Sequence, residues 1–289
     1  MFALPLATRF SKLLFFNKKR VSLSYHPIFS LSPPMENHSQ PTPSRNQNVV
    51  VLRHGDRLDN VDDKWLGQAA RPWDPPLHET GVARAIRTGR TLRTDAGFPI
   101  HRILVSPFLR CVQTAVGAIS GLSANAETDP ETEPSRIKVS IEFGLCEMLN
   151  NIAIRPKVAP NNWELGFNVA ELEALFPFGS VDYSAEPVYK ELPKRPEEVG
   201  EARSRYANIF KALADNYRNE NLLLVTHGEG VGVAVTEFMK EKTVEAYDSE
   251  YCAYVVLERP VFDGEESCPC SGEFKVQTHQ GVMLINLSE

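Results

Sequence analysis

From residue 47 onward, short apolar runs alternate with amphipathic segments. This alternation restricts the fold more than any other feature of the chain. Strand-like runs are NVVVL (48–52), RILVS (102–106), IKVSI (137–141), NLLLVT (221–226) and YVVLE (254–258). Between them lie helical patterns at 79–94, 108–120, about 197–218 and 230–240. In the third helix Ala202, Tyr206, Ile209, Phe210, Leu213 and Tyr217 recur at helical spacing, which marks a core stripe. Strands alternating with helices imply an α/β fold: three layers, with a mainly parallel sheet covered by helices on both faces. In such sheets ligands bind beyond the carboxyl ends of the strands.

Charge divides the chain. Residues 1–46 carry six basic side chains against Glu36 alone, so they hold +5 of a total of −6 and leave −11 for residues 47–289. An acidic body argues against a nucleic-acid partner, because phosphate backbones need a broad basic face. No apolar run approaches the roughly 18 residues of a membrane span, so no membrane partner is expected. The leader is basic and rich in serine, and its first 34 residues hold no acid. It reads as an organelle transit peptide or a disordered extension outside the fold, with Met35 as a second possible start. The first reading implies a plastid or mitochondrion, the second the cytoplasm. The five cysteines are odd in number and scattered, which suits a reducing compartment. Cys268-Pro-Cys270 lacks further ligands at zinc spacing, so no metal is expected there.

Three strand ends carry the candidate chemistry. RHGDRLDN (53–60) follows the first strand, and SPFLRCVQTA (106–115) follows the second and opens a helix. THGEG (226–230) follows a later strand and opens another helix. Arg110 in a helix's first turn faces the positive end of the macrodipole, a conflict that a bound anion would resolve. Gly55 would allow close backbone approach to a ligand. Two strand-terminal histidines with Arg53, Arg57 and Arg110 read as a pocket for a doubly charged phosphoryl group.

These three blocks, in this order, resemble the signatures of the histidine phosphatase superfamily in its phosphoglycerate-mutase-like branch, over about residues 47–245. Within it, RHGDR, SPFLRCVQTA and Trp65-Leu66 are most similar to the phosphatase domain of the ubiquitin-associated and SH3-containing T-cell suppressors and ecdysteroid-phosphate phosphatases. The resemblance implies a phosphoglycerate mutase-like fold; the domain is expected over 47–289, and residues 150–196, a long connection rich in proline and aromatics, read as a lid or specificity insert. It implies a phosphomonoesterase using no cofactor. His54 would be the nucleophile and would form a phosphohistidine. Arg53, Arg57, Asn60, Arg110 and His227, the last as an imidazolium, would bind the phosphoryl oxygens. Glu147 would be the proton donor, with Glu229 and then Glu142 as rivals.

The mutase block around the proton donor is replaced here by FGLCEMLNN, and Arg57 stands where mutases have a serine. Hydrolysis is therefore favoured over transfer. A mutase-type transferase and a phosphate-binding module with little turnover remain the alternatives. The implied substrate is a small phosphorylated metabolite or a phosphoprotein, and a homodimer is possible. The aromatics of the insert either wall a leaving-group site or pack the insert onto the body.

Overall fold

Among the described residues one six-stranded sheet runs in the order β3 (Lys138–Ile141), β2 (Arg102–Val105), β4 (Leu222–Thr226), β1 (Arg45–Arg53), β5 (Val244–Val261), β6 (Lys275–Asn286). The structure, a computed structural model, describes residues 43–123, 136–240, 244–262 and 271–287. All of these lie in one compact unit, Pro41–Glu289. β1 (Arg45–Arg53) runs parallel to β4 (Leu222–Thr226), and β2 (Arg102–Val105) runs parallel to both β4 and β3 (Lys138–Ile141). The fold is α/β, as the alternation implies.

Residues of β1 alternate between two cores, as a period of two requires. Val50 and Leu52 join α1 (Glu79–Asp95) and α2 (Leu109–Leu122) on one face. Val49 and Val51 join α4 (Val199–Asn216) and α5 (Gly228–Phe238) on the other. These four side chains are fully buried, so the strand reads as a continuous apolar run because neither face meets water. Of the expected stripe on α4, Ala202, Tyr206, Ile209, Phe210 and Leu213 are buried, while Tyr217, just past the end of the helix, packs half-buried against the same core.

Two antiparallel strands complete the sheet. β5 (Val244–Val261) pairs with β1, and β6 (Lys275–Asn286) pairs with β5 at the edge. The apolar run at 254–258 marks only part of β5, and β6 carries no apolar run at its start. It is an edge strand in which no residue is fully buried, so its sequence did not need one. β1 begins at Arg45, which brings two residues of the presumed leader into the sheet. Residues 1–42, most of the polar loop 121–136, and Cys268 and Cys270 lie outside the described residues.

Gly55 serves a different purpose from the one its position suggests. A Cβ there would lie 2.7 Å from the carbonyl oxygen of Gly81, so the close neighbour is α1's backbone rather than a ligand.

The connection from β3 to α4 spans residues 142–198 and contains one short helix, α3 (Val169–Glu173). Trp163, Phe167 and Phe176 pack on the core, while Phe178 and Tyr183 are exposed. Two buried acids hold this insert. Glu142 accepts the amides of Gly144, Val188 and Tyr189 at 2.8–3.0 Å. Glu197 forms a bidentate pair with Arg205 of α4 at 2.7 and 2.8 Å. Arg205 also donates to the carbonyls of Gly144 and Cys146, fixing the turn that presents Glu147.

Both members of the Arg205–Glu197 pair are buried, so removing one strands a charge. Arg205→Met is expected to cost about 3–5 kcal/mol and to lower the melting temperature by on the order of 10 °C. Arg205→Met with Glu197→Leu should cost less than the single change, as thermal denaturation would show. A double variant less stable than the single would contradict this account.

Candidate active site

Arg53 of β1 pairs with Thr226 of β4, and the His54 amide donates to the Thr226 carbonyl at 3.0 Å. The next residue on each strand is a histidine. Their rings therefore meet edge to face, with centroids 5.4 Å apart. The Ser106 amide donates to Val225 at 3.0 Å, which brings the start of α2 to the same rim.

His54 is 2% exposed, and its Nδ1 lies 2.9 Å from its neighbour Gly55's carbonyl oxygen. A carbonyl only accepts, so Nδ1 carries the hydrogen and Nε2 keeps its lone pair. Burial, then Arg110, His227 and Arg53, hold its pKa well below the ordinary value, so the ring is neutral at pH 7. The Gly55 amide donates to Thr114 Oγ1 at 2.9 Å and pins the backbone on α2.

His227 is fully buried at the amino end of α5. Its Nε2 lies 2.8 Å from Ser106 Oγ, and its Nδ1 lies 3.2 Å from both Glu147 Oε2 and Arg110 Nη2. Nδ1 thus faces both an acceptor, the Glu147 carboxylate, and a donor, the Arg110 guanidinium, while Nε2 faces the Ser106 hydroxyl, which can donate or accept. Burial, helped by Arg110 and opposed by Glu147, pushes the pKa down to about 4. The expected imidazolium is therefore absent at neutral pH in the unliganded site. The cause is desolvation, which a sequence does not display.

Arg110 is 2% exposed, its guanidinium 4.4 Å from the Phe108 ring centroid. Nη2 lies 3.3 Å from Glu147 and 3.2 Å from His227 Nδ1, while among the described residues Nε and Nη1 are buried without a hydrogen-bond partner. Unpartnered donors on a buried cation form a ready anion site. Burial alone would raise the Glu147 carboxyl, but His227, Arg110 and His54 outweigh it and hold the group ionised.

The remaining candidates are held by protein partners. Arg57 forms a bidentate pair with Asp59 at 2.9 and 2.6 Å while lining the pocket over Arg110. Arg53 donates to the Ser249 carbonyl, and Asn60 donates to the Tyr251 hydroxyl. Glu229 is tied to Arg203 at 2.5 Å, in a groove of about 480 Å³ that contains neither histidine. Glu142 is consumed by three amides.

Two site residues escaped sequence reasoning. Tyr251 lies 5.7 Å from His54 by ring centroids and beneath the Arg53 guanidinium at 4.6 Å. It is placed there by an irregular stretch of β5 in which Cys252 has φ +55°. Asp74 is 5% exposed and accepts the Leu109 amide at 2.9 Å, with Arg110 Nη1 3.8 Å away. Its one signal in the sequence is an acid set within the rigid run PWDPP.

Residues 49–155 match the family model described as histidine phosphatase superfamily (branch 1). Over that segment the chain is similar to the histidine phosphatase superfamily, as its three blocks imply. The human ubiquitin-associated and SH3 domain-containing protein A is 26% identical over 171 residues, 50% of this chain and 22% of that protein. The ecdysteroid-phosphate phosphatase of Bombyx mori is 31% identical over 127 residues, 35% of this chain and 18% of that protein. The chain thus spans about a fifth of each of these curated relatives. The crystal structure of the silkworm ecdysone phosphate phosphatase, in complex with tungstate, superposes with a TM-score of 0.53 at 23% identity. It covers 80% of this chain and 92% of that one, and so shows the same fold. Among the described residues, no helix is long and apolar enough to cross a membrane.

Acid should loosen this domain through its histidines. His227 binds a proton near pH 6.5 when unfolded and only near pH 4 when folded, so the unfolded chain holds more protons between those values. Stability is then full above pH 6.5 and falls as pH drops toward 4, by about 3 kcal/mol from this group. In urea denaturation, His227→Gln should show a shallower loss between pH 6.5 and 4.5 than the parent. Parallel pH profiles would refute the assignment.

Proposed function

We propose that this histidine phosphatase domain hydrolyses phosphomonoesters through a phosphohistidine on His54. One observation carries the reading: the His54 Nε2 lone pair, its tautomer set by Gly55, shares a rim with a buried guanidinium whose Nε and Nη1 find no hydrogen-bond partner among the described residues. The relatives named ecdysteroid-phosphate phosphatase support a small phosphorylated substrate. Tungstate, named with the silkworm structure, has the tetrahedral shape and charge of phosphate.

In the first step the Nε2 lone pair attacks phosphorus, the P–O ester bond breaks, and the leaving oxygen takes a proton from Glu147. In the second, water attacks the phosphohistidine as Glu147 takes the water's proton. The P–N bond then breaks and Nε2 recovers its lone pair. The Nδ1–H bond to Gly55 stabilises positive charge building on the ring, and Arg53, Arg110 and His227 stabilise the phosphoryl oxygens. Arg57 joins by exchanging Asp59 for a phosphoryl oxygen, and Asn60 lies next to the same rim.

Glu147 is ionised in the empty site and must acquire a proton to act as the acid. An arriving dianion supplies the reason. It competes for Arg110 and His227 and adds negative charge nearby, and both effects raise the carboxyl pKa. The substrate itself thus arms the acid.

Purified protein should hydrolyse p-nitrophenyl phosphate, with inhibition by vanadate. His54→Ala should lower kcat by at least about 10³ while leaving the melting temperature nearly unchanged. Glu147→Gln should slow phenyl phosphate by about 10²–10⁴ but slow p-nitrophenyl phosphate far less, because the better leaving group needs no proton. Near-parental turnover by folded His54→Ala would overturn the role of His54 as nucleophile. Equal slowing of both esters by Glu147→Gln would overturn that of Glu147 as acid.

A further inference from the structure

We infer that Arg155 is a specificity residue that reads a second anionic group on the substrate, beside the phosphoryl group. The preferred substrate is then a small phosphomonoester whose leaving group carries a carboxylate or another phosphate. This inference rests on the hydrolase reading and deepens it.

Arg155 belongs to the insert and lines a pocket of about 230 Å³ with Arg57, Arg110 and Trp73. Its backbone position is fixed. Ile154 beside it is 3% exposed in the core, and the Arg155 carbonyl accepts the amides of Val158 and Ala159 at 3.0 and 3.1 Å. Its guanidinium is not fixed. Among the described residues, none of its N–H groups meets a hydrogen-bond acceptor and no carboxylate lies within ion-pair distance. Three guanidiniums therefore line one small pocket whose single acid, Asp59, is already spent on Arg57.

The phosphoryl group does not account for this surplus. Of the residues proposed to hold it, Arg57 and Arg110 line this pocket, whereas Arg53 and His227 hold it from the strand ends outside the pocket lining. Arg155 comes from the insert, is exposed and lines the same pocket as Arg57 and Arg110, which puts it within reach of the group that the phosphorus is attached to. A leaving group with its own negative charge gives Arg155 the planar acceptor that its donor fork matches. A neutral leaving group leaves the cation unpaired.

Binding of phosphonates, which cannot be hydrolysed, separates this inference from the catalytic reading. Isothermal titration would compare 4-carboxybenzylphosphonate with its neutral isostere 4-carbamoylbenzylphosphonate, using the full chain and its Arg155→Gln and Arg155→Lys variants. The parent should bind the carboxylate at least roughly fivefold tighter than the amide. Arg155→Gln should bring that ratio to about one, and Arg155→Lys should keep part of it. A third probe, 1,4-bis(phosphonomethyl)benzene, shows by its rank against the carboxylate which anion is preferred.

Equal affinity of the parent for acid and amide would overturn the inference, as would a preference that survives in Arg155→Gln. So would a parent that binds inorganic phosphate but neither benzylphosphonate. In each case hydrolysis of p-nitrophenyl phosphate, measured separately, decides whether the phosphatase reading stands.

Discussion

The parallel register of β1 on β4 is the constraint on which the site depends. Arg53 stands opposite Thr226, so both strands reach the rim at the same height and both continue into a histidine. A slip of one residue would turn every β1 side chain to the other face, and Val49 to Leu52 are buried on both. The hydrophobic core thus enforces the geometry of two imidazoles that contribute little to the core themselves. β2 runs parallel to β4 as well, with Val105 opposite Val225, and so delivers α2 and Arg110 to the same crevice. The crevice at the carboxyl ends of a doubly covered sheet becomes an anion site because of what each strand is followed by.

Electrostatics then ties the parts together. Arg110 is a permanent cation taken out of water, and it is only partly compensated by Glu147 and by Asp74 beyond it. The same burial that leaves its N–H groups waiting for an acceptor keeps both imidazoles neutral. A neutral His54 is what nucleophilic attack needs, and an ionised Glu147 is what general acid catalysis cannot use. In the proposed mechanism the two requirements are reconciled when a dianion enters and takes over Arg110 and His227.

The residues that were legible in the sequence are those on regular elements. The runs at 48–52 and 221–226 placed His54 and His227 at strand ends, and the helix starting after Pro107 placed Arg110. The chain's resemblance singled out Glu147 over Glu229, and the structure sets Glu147, not Glu229, against Arg110 and His227. What stayed hidden depends on long-range packing. Tyr251 reaches His54 only because β5 loses its register near Cys252. Asp74 reaches α2 from a loop, and Arg57 finds Asp59 two residues away instead of solvent. The neutral state of His227 is likewise a property of burial in the folded site.

Chemical quench of a single turnover is the most direct measurement of the central claim. The protein would be mixed with a ³²P-labelled aryl phosphate, quenched in alkali to spare the acid-labile P–N bond, and mapped by mass spectrometry. The label is expected on one peptide, attached to Nε2 of His54. Turnover with no labelled protein, or label on His227 or on Nδ1 of His54, would contradict the account.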